Sequence, residues 1–408
     1  MPLSHKKPTV LALSQVYVPD PASVGQHMAD AAAQLVQRGF RVIALTSRRG
    51  YENPAKIYPS REVIDGVEVR RLPLSSFGKK SMVLRALAGV LFVIQCIMKG
   101  LFVRNLDRIL VSTSPPVCLL AALAICFIRH APIKFWVMDL NPDQLIALGK
   151  TKPGSFLAQM FDRFNRLFLR KADKIVVLDR FMADRVNRKT QVTDKMAIIP
   201  PWPHEEHLTP LAHEGNPFRA CQGLTGKKVI MFSGNLSICS PVTTILQAAL
   251  RVMDLEKLLF LFIGGGLGRR EVEDVMIRLH PRNIQMLPYQ PLAEIRYSLS
   301  AADIHLVSLG EQMSGIIHPC KIYGAMAVGR PILYLGPADS FIMDILNQYP
   351  IGWHVAHGDI DNAERVIREI ERLPAEQLSS MGALAFRVVS EKFSKAKLSA
   401  QFCEFIAR

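Results

Sequence analysis

The sequence is poor in the residues that announce metal, redox or membrane-spanning chemistry. Its 408 residues include seven cysteines, at 96, 118, 126, 221, 239, 320 and 403. None forms a Cys-x-x-Cys pair or stands at a metal-ligand spacing. Their number is odd and most lie among apolar residues, which reads as reduced, buried thiols. The histidines form no His-x-x-x-His or His-Glu-x-x-His pattern, so no zinc site is expected. A Gly-x-Ser-x-Gly elbow and a P-loop are also missing, which removes two common hydrolase readings. The longest continuous apolar run, residues 117–128 (VCLLAALAICFI), has 12 positions where a spanning helix needs about 20. Residues 1–8 (MPLSHKKP) carry no apolar h-region, so no secretory leader and a cytoplasmic location are expected.

Acidic residues are scarce in one half only. Residues 1–200 hold 30 Lys and Arg against 14 Asp and Glu, a net of +16, whereas residues 201–408 hold 20 against 21, a net of −1. A basic excess confined to one half predicts an anionic partner for that half, a membrane surface or nucleic acid. Residues 81–103 are apolar but interrupted by Arg85, Gln95 and Lys99. They read either as a buried helix or as an interfacial helix on anionic lipid, held by Arg85, Lys99 and Arg104. Residues 117–128 read as a buried helix. No nucleic-acid recognition module or stacking-aromatic motif is present, which favours the membrane and predicts no nucleic-acid partner.

The hydrophobic pattern alternates between strand and helix. Thr9–Ser14 (TVLALS) fits a buried parallel strand. A Pro- and Gly-containing loop follows, then a helical pattern through Met28, Ala31, Leu35 and Val36 that stops at Gly39. Arg41–Thr46 is the next strand, which completes a βαβ unit. Further strands are expected at 67–72, 108–111, 134–138 and 174–178. Residues 198–203, with three prolines, read as a linker. The pattern then restarts, with strands at 228–232, 258–263, 284–287, 304–306 and 332–335. This predicts two Rossmann-like doubly wound domains, 1–200 and 201–385, facing each other across a cleft. The tail, 386–408, is expected to pack back on the first domain. Ligands of open α/β sheets bind outside the carboxyl ends of the strands.

Several stretches in order resemble the family-4 glycosyltransferases of the GT-B fold, in the subgroup that builds bacterial surface polysaccharides such as O-antigen and exopolysaccharide. They are the opening SQVYVPDPASVGQHMADAAAQLVQRGFRVIALTSRRGY, STSPP at 112–116, VMDLNPDQLIALG at 137–149, KADKIVVLDRFMADRV, KMAIIPPW, FSGNLS at 232–237, FLFIGGG at 260–266, QMLPYQPLAEIRYSLSAADIHLVSL at 285–309, and GIIHPCKIYGAMAVGRPILYLGP at 315–337. The resemblance implies a metal-independent hexosyltransferase without cofactor. Its donor would be a nucleotide-diphosphate sugar and its acceptor a lipid-linked saccharide on polyprenyl pyrophosphate. It would sit peripherally at the inner face of the cytoplasmic membrane.

The residues give each motif a physical role. A helix starting near Pro319 would offer free amides and dipole charge to a diphosphate. His318 and Lys321 would add donors, and Gly324 would let backbone approach, with Tyr323 in the same Lys-x-Tyr-Gly stretch. Gly234 and Asn235 end a strand, as do Gly264, Gly265 and Gly266, and both turns suit phosphate or sugar contact. Arg269 is a second candidate cation, because no Lys or Arg follows Asn235 closely. Asp139 ends a strand and can orient or deprotonate an acceptor hydroxyl. Asp143 is second choice, and Gly25 is assigned to a phosphate or acceptor loop. The family's two flanking glutamates fall at Ile316 and Gly324, which leaves the ribose without a partner; Glu311 is the nearest acid. The Asp-x-Asp of residues 359–361 reads as a helix cap rather than a metal site. A nucleotide-sugar epimerase of the same fold and a non-catalytic binding homologue remain as alternatives.

Overall fold

In a computed structural model of the chain, residues 7–20, 22–50, 55–75, 82–204 and 208–408 are described. They divide into two compact units, one of residues 1–201, 315–317 and 396–408, the other of 202–314 and 318–395.

The first unit holds β1 (Thr9–Leu13), β2 (Arg41–Ser47), β3 (Arg61–Ile64), β4 (Val67–Leu72), β5 (Leu106–Ser112), β6 (Ile133–Trp136), β7 (Lys174–Val177) and β8 (Met196–Ile198). They form one sheet in the order β3-β4-β2-β1-β5-β6-β7-β8. All neighbours are parallel except β3 and β4. That pair is a hairpin whose turn, Asp65-Gly66, has positive φ at both residues (49° and 79°), the geometry that suits a two-residue turn. Every residue of β1 is buried, which is why its sequence is continuously apolar rather than alternating.

Right-handed crossovers put three helices on one face of this sheet: Met82–Leu101, Cys118–Arg129 and Phe156–Lys171. The first two pack closely because Val117 lies against Gly89 and Ile125 against Gly100, where a Cβ would collide. Cys118, Leu119, Ala121, Ala122 and Ile125 of the second helix are buried. Leu120, Phe127 and Ile128 are not, so the helix expected to be buried is buried on one side only, and among the described residues nothing covers its outer side. Of the three cations assigned to the interfacial reading, Lys99 and Arg104 are exposed, and the side chain of Arg85 lies outside the described residues. No helix among the described residues is long and apolar enough to cross a membrane.

The second unit holds β9 (Lys228–Ser233), β10 (Leu258–Ile263), β11 (Ile284–Leu287), β12 (Ile304–Ser308), β13 (Ile332–Leu335) and β14 (Gly352–Val355). They form a sheet in the order β11-β10-β9-β12-β13-β14, parallel throughout. The chain leaves β9 toward β10 on one side and returns to β12 on the other. This makes the carboxyl end of β9 a topological switch point.

The expected break at 386 falls inside the helix Ala375–Lys392, and the chain joins the first unit only from Ala396. The reason is Phe393, whose ring packs 5.4 Å from Tyr323 and 6.0 Å from Phe341, holding the helix end in the second unit. The last helix, Lys395–Ala407, seats Phe402 on Trp136 with ring centroids 4.1 Å apart. Arg38 and Arg108 donate to the carbonyls of Ala400 and Ile406. Phe402 is fully buried, so Phe402→Ala is expected to cost about 3–5 kcal/mol, read as a lower urea midpoint of the first unit. An unchanged midpoint would mean the tail contributes nothing to that core.

Candidate functional site

In the second unit, the turns after β9 and β10 are built on glycine because they touch backbone to backbone. A Cβ on Gly264 would collide with the Gly234 carbonyl, and one on Gly266 with the Asn235 Oδ1 and the Leu236 carbonyl. Their φ values, 136° and 113°, also exclude ordinary side chains. Gly234 donates to Ile263 at 2.8 Å and Leu236 to Gly265 at 2.7 Å, which locks the turns together. Rather than opening toward a ligand, as their sequence pattern predicts, Gly264 and Gly266 face protein. The amides of Gly265 and Gly266, by contrast, donate to no group among the described residues.

Lys321 lies over the same turns. Its Cε occupies the space a Gly234 side chain would fill, 2.9 Å from the position of a Cβ there. Its ammonium stands 5.1 Å from the centre of the Phe232 ring. No carboxylate among the described residues pairs with it, and burial holds its pKa below that of an ordinary lysine. A desolvated cation held only by a ring face is costly unless an anion joins it. Arg269 differs: it pairs with Glu273 at 2.6 Å and donates to the Gly264 carbonyl at 3.3 Å, so its charge is already compensated. Asn235 is exposed at the turn. Tyr289, unremarked in the sequence beyond its motif, lays its ring against Gly265, 2.9 Å from where a Cβ would be.

The helix expected from residue 319 begins at Lys321 and runs only to Ala327. Pro319 therefore precedes it, and the amides of Cys320, Ile322 and Tyr323 donate to the carbonyls of His318, Pro319 and Cys320. The row of free amides expected there is largely used internally. His318 and Tyr323 are hydrogen-bonded to each other at 2.9 Å in a buried cluster with Phe341. The His318 Nε2 and the Tyr323 hydroxyl are thus engaged with each other. Gly324 is buried in mid-helix, and the helix packs on Ala375–Lys392. Glu311 is exposed on the turn after β12, the strand beside β9.

In the first unit, Asp139 follows β6 and is half-buried. The Thr113 hydroxyl accepts from its amide at 3.1 Å, and the next amide, of Leu140, donates to Ile316 at 2.9 Å. Asp139 itself bridges to Ile317 as an isolated antiparallel pair. The backbone is thus clamped from two sides while the carboxylate meets no cation among the described residues. Burial alone pushes its pKa up to about 6. A raised pKa makes the ionised form a stronger base than a solvated aspartate. Thr113, which the STSPP stretch placed nearby without a role, is the residue that aims it. Asp143 is less available, being ion-paired with Lys189 at 2.7 Å. Gly25 sits in the first turn of the helix Ser23–Gln37 rather than in the loop, where it lets that helix close on Val16 and Tyr17. Asp359 caps the helix Ile360–Arg372 by accepting from the Asn362 amide at 3.1 Å, and Asp361 pairs with Arg251 at 2.5 Å. No cluster of metal-ligating side chains occurs among the described residues.

Known proteins share both the sequence pattern and the architecture. Residues 23–202 match the family described as "Glycosyl transferase 4-like domain". The chain is 29% identical over 295 residues to a Pseudomonas aeruginosa protein named as a probable glycosyltransferase, WbjE, covering 72% of each chain. It is 23% identical over 347 residues to WcaI of Escherichia coli (strain K12), assigned by its name to colanic acid biosynthesis as a glycosyl transferase, covering 82% of this chain and 84% of that one. Among solved structures it is similar to Anabaena Alr3699/HepE, crystallised in complex with UDP and glucose, with a TM-score of 0.72, 13% identity, and coverage of 98% of this chain and 99% of that one.

The raised pKa of Asp139 has a thermodynamic signature. Between its ordinary value of 3.8 and about 6, the unfolded chain loses this proton first, so stability attributable to the protonated group is lost as pH rises through that window. Asp139→Asn removes that loss. Its Tm advantage over the wild type should grow between pH 4 and pH 7 and level off above. A difference that stays flat across the window would show the carboxyl to be unperturbed.

Proposed function

We propose that the chain is a glycosyltransferase, as its match to the glycosyl transferase 4-like domain over residues 23–202 supports, and that it catalyses a particular reaction. It moves a sugar from a nucleotide-diphosphate sugar to a hydroxyl of a lipid-linked saccharide, on the membrane surface, as a step in building a surface polysaccharide. The observation that carries the donor half is the uncompensated ammonium of Lys321, poised over Gly234 and Phe232 beside the open amides of Gly265 and Gly266. A diphosphate supplies the charge this cation lacks. As the sugar–phosphate bond breaks, negative charge grows on the leaving diphosphate, and a fixed cation with fixed N–H dipoles stabilises it without reorganisation. Asp139, aimed by Thr113, takes or orients the proton of the attacking hydroxyl.

HepE bound to UDP supports a nucleotide diphosphate, and the name of WcaI supports a polysaccharide product. The +16 balance of residues 1–200 supports an acceptor that carries pyrophosphate and lies on an anionic surface.

A thermal-shift panel of UDP, GDP and ADP with their sugars tests the donor reading, since a bound donor raises Tm by mass action. Lys321→Met keeps the apolar stem over Phe232 and removes the charge. It should leave the unliganded Tm at or above the wild-type value while weakening the nucleotide-induced shift by at least tenfold in donor concentration. Full retention of the shift would remove Lys321 from the site. Asp139→Asn should keep the donor shift and lose at least a hundredfold in transfer, in line with removal of a general base. Undiminished transfer would take that role from Asp139.

A further inference from the structure

The helix layer of the first unit has an outer surface unlike that of a water-facing layer. In Met82–Leu101, the exposed residues Leu84, Leu87, Val90, Ile94 and Met98 recur every three or four positions, which is one face of the helix. In Cys118–Arg129, Leu120, Phe127 and Ile128 are exposed, and no charged side chain occurs before Arg129. As exposed as Phe156 of the third helix (83%), Phe102 and Phe127 project at 84% and 83%. They lie at one end of the layer, where Arg129 donates to the Leu101 carbonyl and Ile125 fills the notch at Gly100. Single exposed apolar residues are ordinary; a face continuous over two packed helices marks a binding surface.

Charge indicates what covers it. Between Glu68 and Asp139 the sequence has one carboxylate, Asp107, against ten Lys and Arg, and Asp107 is paired with Arg108. Of these, Arg70, Arg71 and Lys134 are ion-paired within the fold, so the cations left to the face are those of the helix layer itself. Lys99, Arg104 and Lys171 are exposed and make no ion pair among the described residues, and Lys171 lies near Cys126 of the second helix. A second copy of the chain docking by this face would set these cations against their own kind, whereas anionic headgroups pair with them. The helix Cys118–Arg129, 12 residues and about 18 Å long, falls well short of a bilayer core about 30 Å thick.

We propose that this face docks on an anionic lipid leaflet. The two helices lie in the plane of the interface, Phe102 and Phe127 insert below the headgroups, and Lys99, Arg104 and Lys171 meet lipid phosphates. The inference rests on the membrane-side reading above and specifies its surface.

The test is co-flotation of the full chain with vesicles of phosphatidylcholine alone or mixed with phosphatidylglycerol, at low and high salt. The wild type should partition onto the mixed vesicles at least tenfold better than onto the neutral ones, and less at high salt. Phe102→Ser combined with Phe127→Ser should lower that partition at least tenfold, with Tm and the nucleotide-induced shift unchanged. Both side chains are more than four-fifths exposed, so folding is not at stake. If the wild type floats and the double variant floats equally, this face is not the docking surface, although the membrane reading stands. If the wild type stays with the soluble fraction on all vesicles, docking is overturned, while the donor shift still decides the transferase reading separately. A wild-type dimer that the double variant turns into a monomer would show that a second copy covers the face, and would also overturn the proposal.

Discussion

The second unit's site depends on one close approach of backbone to backbone: Gly264 against the carbonyl of Gly234. Two adjacent parallel strands, β9 and β10, end at the same level, and their turns must either splay apart or interlock. Glycine permits the second outcome, because no Cβ stands between the chains and both residues adopt φ values that other residues avoid. Interlocked turns leave a bare strip above Gly234. The stem of Lys321 fills that strip, and its ammonium reaches Phe232. A larger residue at 264 would push the turns apart and remove the bed on which the lysine lies. The preorganised charge of the site is thus a consequence of packing.

Electrostatics separates the candidate cations that composition alone treats as equals. Arg269 has a carboxylate one helical turn away and a carbonyl in reach, so its charge is satisfied within the fold. Lys321 has a ring and no acid. The same contrast divides the acids: Asp143 is neutralised by Lys189, whereas Asp139 is half-buried without a counter-ion and titrates near 6. Groups left uncompensated in a folded protein are the first to test for a ligand or for proton transfer.

The fold was largely legible because its strands are buried on both faces. Thr9–Leu13 and Leu258–Ile263 read as apolar runs bounded by turns, the pattern expected of strands covered on both faces of a parallel sheet. The strands not expected from the sequence, β3, β8 and β14, are edge strands with mixed burial, where one face or one side of pairing is open and the pattern fades. The membrane-side candidate at 81–103 was visible as an apolar stretch broken by charge. That the neighbouring helix shares its open face was not visible, since twelve apolar residues in sequence look the same whether covered or bare.

By itself the sequence determined the two βα units, the glycine turns after β9 and β10, the uneven charge and the motif order that resembles a glycosyltransferase family. These follow from local periodicity, backbone freedom and residue counts, which need no partner to be read. Tertiary structure alone decided which polar groups remain available. It turned His318 and Tyr323 toward each other, satisfied the amides before the helix at 321, paired Arg269 and Asp143, and left Lys321 and Asp139 without counter-ions. The reason is physical: a charge or hydrogen-bonding group is defined as free or committed by what lies within a few ångströms of it, and those neighbours come from distant parts of the chain.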